Sequence, residues 1–310
     1  MKKGLERFDG EANGKRVAAI CFGITLFADR PVSSFYAGAL KAFALYRKLV
    51  GDDALKVYAT DTMRQHKPVS KRALTLLDTW LAPNAPARET IDIEYSDADP
   101  YDEAPRRRFA ITGEEVAEAA DTWPSVVRIA LDPVWGTERN EEIMEFVLKL
   151  AELIPVRSGY AGFAFEYSKY HLEEGCEHAW QQSMRHPGID IHSPRARERF
   201  ATLKDSIRTI GWLTLLDDAF VSELGGRKAL AKELPQSVEV CDIDGGVLLR
   251  AGERPALGDV NRNDKLPDYR AVYRAVRPLT LKALERSKWL ELPDNKKERT
   301  ERWLRRWDDV

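Results

Sequence analysis

Apolar positions along this chain recur with two rhythms, a helical one near 3.6 residues and a strand one near 2, and the two alternate irregularly from end to end. Val17 to Phe27 is a nearly unbroken apolar run and reads as a first buried strand. Pro31 to Val50 places Phe35, Leu40, Phe43, Ala44 and Tyr46 on a broad helical face, with Gly51 as its stop. Leu55 to Ala59 is a short strand. Ser70 caps a second helix, in which Ala73, Leu74, Leu77 and Leu81 keep helical spacing until Pro83 and Pro86 end it. Thr90 to Tyr95, Arg107 to Ile111 and Ser125 to Leu131 follow as strands, the last with a VVRIAL run that implies burial. Thr137 to Leu153 carries the clearest helical stripe: Ile143, Phe146, Val147, Leu150 and, just past it, Ile154. Ser158 to Tyr167 returns to strand, and Glu173 to Met184 is a helix broken by Pro187-Gly188.

The densest local grammar lies between Ser206 and Asn261. Ile207 to Leu216 reads as a buried strand, after which Asp217 and Asp218 offer an N-cap to a helix over Ala219 to Leu224. Gly225-Gly226 closes that helix, and a second runs from Arg227 to Leu234. Val238 to Ile243 and Val247 to Ala251 flank Asp244-Gly245, a dipeptide suited to a type I′ hairpin turn with both central residues at positive φ. Leu266 to Arg277 is a helix with Pro267 in its first turn, and Asn295 to Trp307 is a basic helix carrying Trp303, Leu304 and Trp307. That tail either docks its tryptophans on the body or forms a surface-binding arm; Glu298, Glu301, Asp308 and Asp309 dilute its positive face and favour docking.

Hairpins and irregular alternation place the chain in the α+β class, with a mostly antiparallel sheet packed with helices. The 310 residues suffice for a large core, as a single α+β domain over 1–310 or as one compact chain with sub-lobes at 17–168 and 169–310; residues 1–16 are polar and expected to be flexible.

Composition narrows the functions available. Apolar content of 44% and charged content of 32% belong to a folded soluble chain. A net charge of −2 supplies no global field for nucleic acid, so no direct nucleic-acid partner is expected. Val17 to Phe27 covers only about half of a membrane span and follows a polar leader, which argues against both a membrane partner and a signal peptide. Cys21, Cys176 and Cys241 are widely separated and form no C-x-x-C pair, as suits a cytoplasmic protein. The oligomeric state stays open.

Motifs for chemistry are few. GGVLLRAGERPALGD fits neither G-x-G-x-x-G nor the P-loop, and no G-x-S-x-G elbow is present, so no cofactor is implied. His171, Cys176, His178, His186 and His192 gather zinc-type ligands within a short stretch, but H-x4-C-x-H-x7-H-x5-H matches neither a zinc finger nor H-E-x-x-H. Ordinary helix-end or surface histidines explain them more simply. A metal-dependent hydrolase built on 171–192 is the alternative function.

The second feature is a charge run, in which Glu89, Asp92, Glu94, Asp97, Asp99, Asp102 and Glu103 occur with no lysine or arginine among them. A solvated loop between two strands, partly neutralised by Arg106, Arg107 and Arg108, accounts for it; a surface presented to a basic partner is the functional reading.

GWLTLLDDAFVSELGG, then GGVLLRAG, RPALGDVN and LPDYRAVYRAVRP, with weaker echoes in SGYAGFAFEYSKY and HPGIDI, resemble the bacterial type VI secretion system immunity family, the TsiV-like proteins, over roughly residues 20 to 280. Membership implies a non-enzymatic protein that binds and neutralises a cognate toxin, commonly a nuclease of the restriction-endonuclease type, by occluding its active site. With a DNase effector as partner, the acidic residues Asp92, Glu94, Asp97, Asp99, Asp102 and Glu103 become the expected contact set, since complementary charge speeds encounter.

Overall fold

A computed structural model describes residues 3–82, 84–116, 124–192, 205–286 and 290–308. Twelve strands form one sheet: β1 (Gly10–Ala12), β2 (Lys15–Ala28), β3 (Val57–Thr60), β4 (Lys67–Pro68), β5 (Thr90–Ser96), β6 (Arg108–Glu114), β7 (Ser125–Leu131), β8 (Val156–Tyr167), β9 (Asp190–Ile191), β10 (Leu213–Asp217), β11 (Val238–Ile243) and β12 (Gly246–Ala251). Their order is β11-β12-β10-β8-β2-β7-β6-β5-β3-β4, with β1 added to β2 and β9 to β8. Every pairing is antiparallel except β8 with β9. The fold is the α+β arrangement expected, and one sheet runs unbroken across residue 168, because β8 pairs with β2 on one side and β10 on the other.

The helices are α1 (Lys3–Glu6), α2 (Tyr36–Val50), α3 (Leu76–Leu81), α4 (Val134–Glu138), α5 (Asn140–Leu153), α6 (Leu172–Arg185), α7 (Asp218–Glu223), α8 (Arg227–Glu233), α9 (Pro267–Arg286) and α10 (Lys296–Leu304). Among the described residues no helix is long and apolar enough to cross a membrane. The core collects one face of the central strands, Phe22, Ile24, Leu26, Phe109, Ile129 and Leu213, under Phe43 and Tyr46 of α2 and Phe146 and Leu150 of α5. A smaller cluster joins Ile20 and Phe165 to Cys176 and Ala179 of α6 and to Trp303 of α10.

The tail docks: Trp303 and Trp307 are buried, Trp307 stacks on Tyr269 at 5.6 Å between ring centroids, and Arg306 donates to Pro187 O at 3.0 Å. Burial pushes the Arg306 guanidinium down to about 10. At the other terminus Phe8 is buried and β1 pairs with β2.

Three local readings change. The strand expected over Ile207 to Leu216 begins only at Leu213; Gly211 packs on the Ala161 backbone and its N–H bonds Thr214 Oγ1 at 3.2 Å, so the chain enters the sheet after a bend while Ile207, Ile210 and Trp212 stay buried. The long helix expected from Thr137 divides at Arg139, whose φ of −132° interrupts it. Asp244-Gly245 does join β11 to β12 through a two-residue turn, but Gly245 alone takes positive φ, 71°, which is not the I′ pattern. Asp217 caps α7 as expected, accepting from Phe220 N at 2.8 Å.

Candidate functional site: the acidic hairpin and the charged seam beneath it

Strands β5 and β6 form a hairpin closed by residues 97–107, so the acidic run climbs one strand and crosses the loop. Strand alternation puts Asp92 and Glu94 on the same face of β5. Glu94 Oε1 meets His66 Nε2 at 2.6 Å and Lys169 Nζ at 3.2 Å, and Arg108 Nη1 lies 3.5 Å from Oε2. Burial raises the Glu94 carboxyl, but Arg108, the His66 hydrogen bond and Lys169 outweigh it and hold the group well below the ordinary range. Asp97 Oδ1 accepts from Arg106 N at 2.9 Å and Arg107 N at 3.0 Å, bracing the loop from inside. Burial leaves its carboxyl raised despite these two donors.

The rest of the loop is tied to neighbouring elements. Asp102 pairs with Lys15, Glu103 lies 3.7 Å from Arg16 Nη2, and Ala104 N donates to Arg16 O at 2.7 Å. Ser168 Oγ donates to Asp102 O. Of the six expected contact residues, then, Glu94, Asp97, Asp102 and Glu103 are matched internally, Asp92 is half-buried, and Asp99 is exposed. Beside Asp99 stands Tyr101, 41% exposed, its ring edge-on to Tyr170 at 5.3 Å. The loop tip is therefore a carboxylate and a tyrosine on a braced support.

Under the hairpin runs a seam of charge that the sequence reading missed. Register places Glu94, Arg108, Arg128, Thr25 and Glu166 on one face of the sheet, opposite the main core. Arg108 Nη1 lies 3.2 Å from Glu166 Oε2, Arg128 Nε 3.5 Å from Glu166 Oε1, and His192 Nδ1 3.0 Å from the same oxygen. Burial raises the Glu166 carboxyl, yet Arg108, Arg128 and the His192 bond prevail and bring it to about 2. Cys21, Ala130 and Ala164 are small neighbours on this face, and a Cβ on Gly23 would fall 2.4 Å from His192 Cε1. The sequence signal was available: a single charge inside an apolar strand, as in VVRIAL and FAFEY, must be paired when buried.

The histidine and cysteine cluster does not converge. His171 stands at the N-terminus of α6, Cys176 is buried on that helix, and His178 Nε2 is 2.8 Å from Phe8 O. His186 Nδ1 is 2.6 Å from Gly258 O, while His192 belongs to the seam. Among the described residues no group of three or more His, Cys, Asp or Glu side chains could hold a metal ion.

The family model for TsiV, type VI immunity for VRR-NUC, matches residues 39–307, which include the whole hairpin and seam. The fold is similar to that of the Pseudomonas aeruginosa T6SS protein PA0821, with a TM-score of 0.81 and 19% identity over 94% of this chain and 83% of that one. No curated protein matches. With a family model covering most of its length, the chain belongs to the TsiV family, type VI immunity for VRR-NUC.

Proposed function

We propose that this protein neutralises its cognate VRR-NUC toxin by binding it and occluding its active site, without catalysis of its own, in the cytoplasm where the toxin's DNA target lies. The family match carries the reading. A nuclease must present a basic surface to DNA phosphates, and the exposed pair Asp99 and Tyr101 suits such a surface: charge to steer, an aromatic ring to anchor. Bracing of the loop by Asp97, Asp102 and Ser168 reduces the ordering cost on binding. Asp92, Glu94, Asp97, Asp102 and Glu103 act in this reading by setting the loop and its field, since most already have partners. Separate engagement of His178, His186 and His192 supports a binding role over a metal-dependent hydrolase.

The test is co-expression with the cognate VRR-NUC toxin. Cells carrying this protein are expected to survive; loss of viability equal to that with toxin alone contradicts the proposal. Asp99→Lys with Tyr101→Ala should slow association and flatten its dependence on salt.

A further inference from the structure

The acidic run is split by β5, and its two ends differ. At the 97–107 end the carboxylates other than Asp99 are matched, as described above. At the Thr90 end, Glu115 N donates to Glu89 O at 2.8 Å, which brings Glu89 and Glu115 together where the hairpin opens. Glu115 spends its carboxylate oxygens on Val32 N at 2.8 Å and Ser33 N at 3.1 Å. Among the described residues neither Glu89 nor Glu115 has a cation within ion-pair distance, since Arg88 pairs with Asp61.

Beside these carboxylates is a cavity of about 370 Å³, walled by Tyr36 at the start of α2, Trp80 and Leu81 of α3, Pro86, and Ile91 of β5, with Glu115 on its rim. Its floor is preformed: the Arg88 guanidinium lies 4.0 Å from the Trp80 ring centroid, and Arg88 is held in turn by Thr90 O at 3.3 Å and Asp61 at 3.7 Å. Tyr36 is 39% exposed, and Val116, next to Glu115, is 47% exposed, two of the few large apolar side chains that face water among the described residues. Tryptophan, tyrosine and arginine around one pocket, with a polar rim, is the composition that concentrates binding energy at interfaces.

We propose that this pocket is a second docking point for the cognate nuclease, receiving an apolar anchor side chain that projects from the toxin's basic surface. The inference rests on the immunity reading and deepens it, because carboxylates without an ion-pair partner beside a cavity lined by aromatic rings fit a partner whose own anchor is ringed by lysine and arginine. β5, which runs from the pocket toward the loop that carries Asp99 and Tyr101, has seven residues and spans about 20 Å.

Ala87 lines the cavity and is exposed, so charge can be placed at its mouth with little cost to the fold. Association and dissociation rates with the purified, catalytically inactivated toxin are to be measured for wild type, Tyr36→Ala, Ala87→Arg and Ala87→Glu, with melting curves confirming each fold. Tyr36→Ala is expected to speed dissociation by about tenfold or more, and Ala87→Arg to slow association where Ala87→Glu does not. Wild-type binding with all three variants within about twofold of it overturns the pocket proposal while immunity stands. Failure of the wild type to bind at all overturns both.

Discussion

Arg108 Nη1 lies 3.2 Å from Glu166 Oε2 although two strands, β2 and β7, separate β6 from β8. Both side chains are almost sealed from water, at 3% and 2% exposure. Such a pair stabilises only while both members are present, because removing one leaves a buried charge uncompensated. Arg108→Met is therefore expected to cost about 3–5 kcal/mol in urea unfolding at neutral pH, and Arg108→Met with Glu166→Gln less than the sum of the two single losses. Strict additivity would show that the two do not interact.

The same carboxyl sets an acid limb. Glu166 stands at about 2 when folded against an ordinary 4.5, so the unfolded chain takes up the proton first. Its contribution is complete above about pH 4.5 and is lost as pH falls toward 2; Glu94, also lowered, adds to the same window. Chemical unfolding followed from pH 6 to pH 3 should show stability falling, and Glu166→Gln should flatten part of that slope. An unchanged slope contradicts the assignment.

Gly245 takes φ of 71°, and its carbonyl accepts from Asp218 N at 2.8 Å, linking the β11–β12 turn to the start of α7. Gly245→Val should cost about 1–3 kcal/mol, since a β-branched residue is strained there. The loss belongs to stability, not to toxin recognition. A variant with the parental melting temperature and no toxin binding would make the turn a contact instead.

Trp303 is 1% exposed in the smaller core cluster, and its ring faces the Arg306 guanidinium at 4.4 Å. Trp303→Ala should destabilise the chain by about 3–5 kcal/mol, as truncating a buried tryptophan does. A cost near zero by calorimetry would return the tail to the status of a surface arm.

His178 and His186 each contact a backbone carbonyl, of Phe8 and Gly258 respectively. Elemental analysis of dialysed protein should find no stoichiometric zinc. About one zinc per chain, lost in a His178→Ala, His186→Ala variant, would restore the hydrolase alternative.

Much of the fold was legible because periodicity reports burial directly: Ser125 to Leu131 and Val238 to Ile243 occupy the expected positions, and Asp217 caps the expected helix. Long-range pairing was not legible. Arg128 and Glu166 announce burial by their apolar neighbours, but nothing local says that they meet, or that His192 joins them. The acidic run was visible as composition; its internal pairing was not. Pairing partners from Lys15, Arg16 and His66 arrive through the topology, so a string of like charges in sequence becomes a braced hairpin with Asp99 exposed in its loop. The metal-type cluster dispersed for the same reason, since Phe8, Gly258 and Glu166 each claim a different histidine.

Direct inhibition tests the central claim most sharply. Purified cognate VRR-NUC toxin is to be assayed for DNA cleavage while this protein is added in increasing amount, with an unrelated nuclease as control. Cleavage by the cognate toxin should fall to background near stoichiometric addition and the control should be unaffected. Full cleavage in the presence of a large excess of this protein would contradict the account.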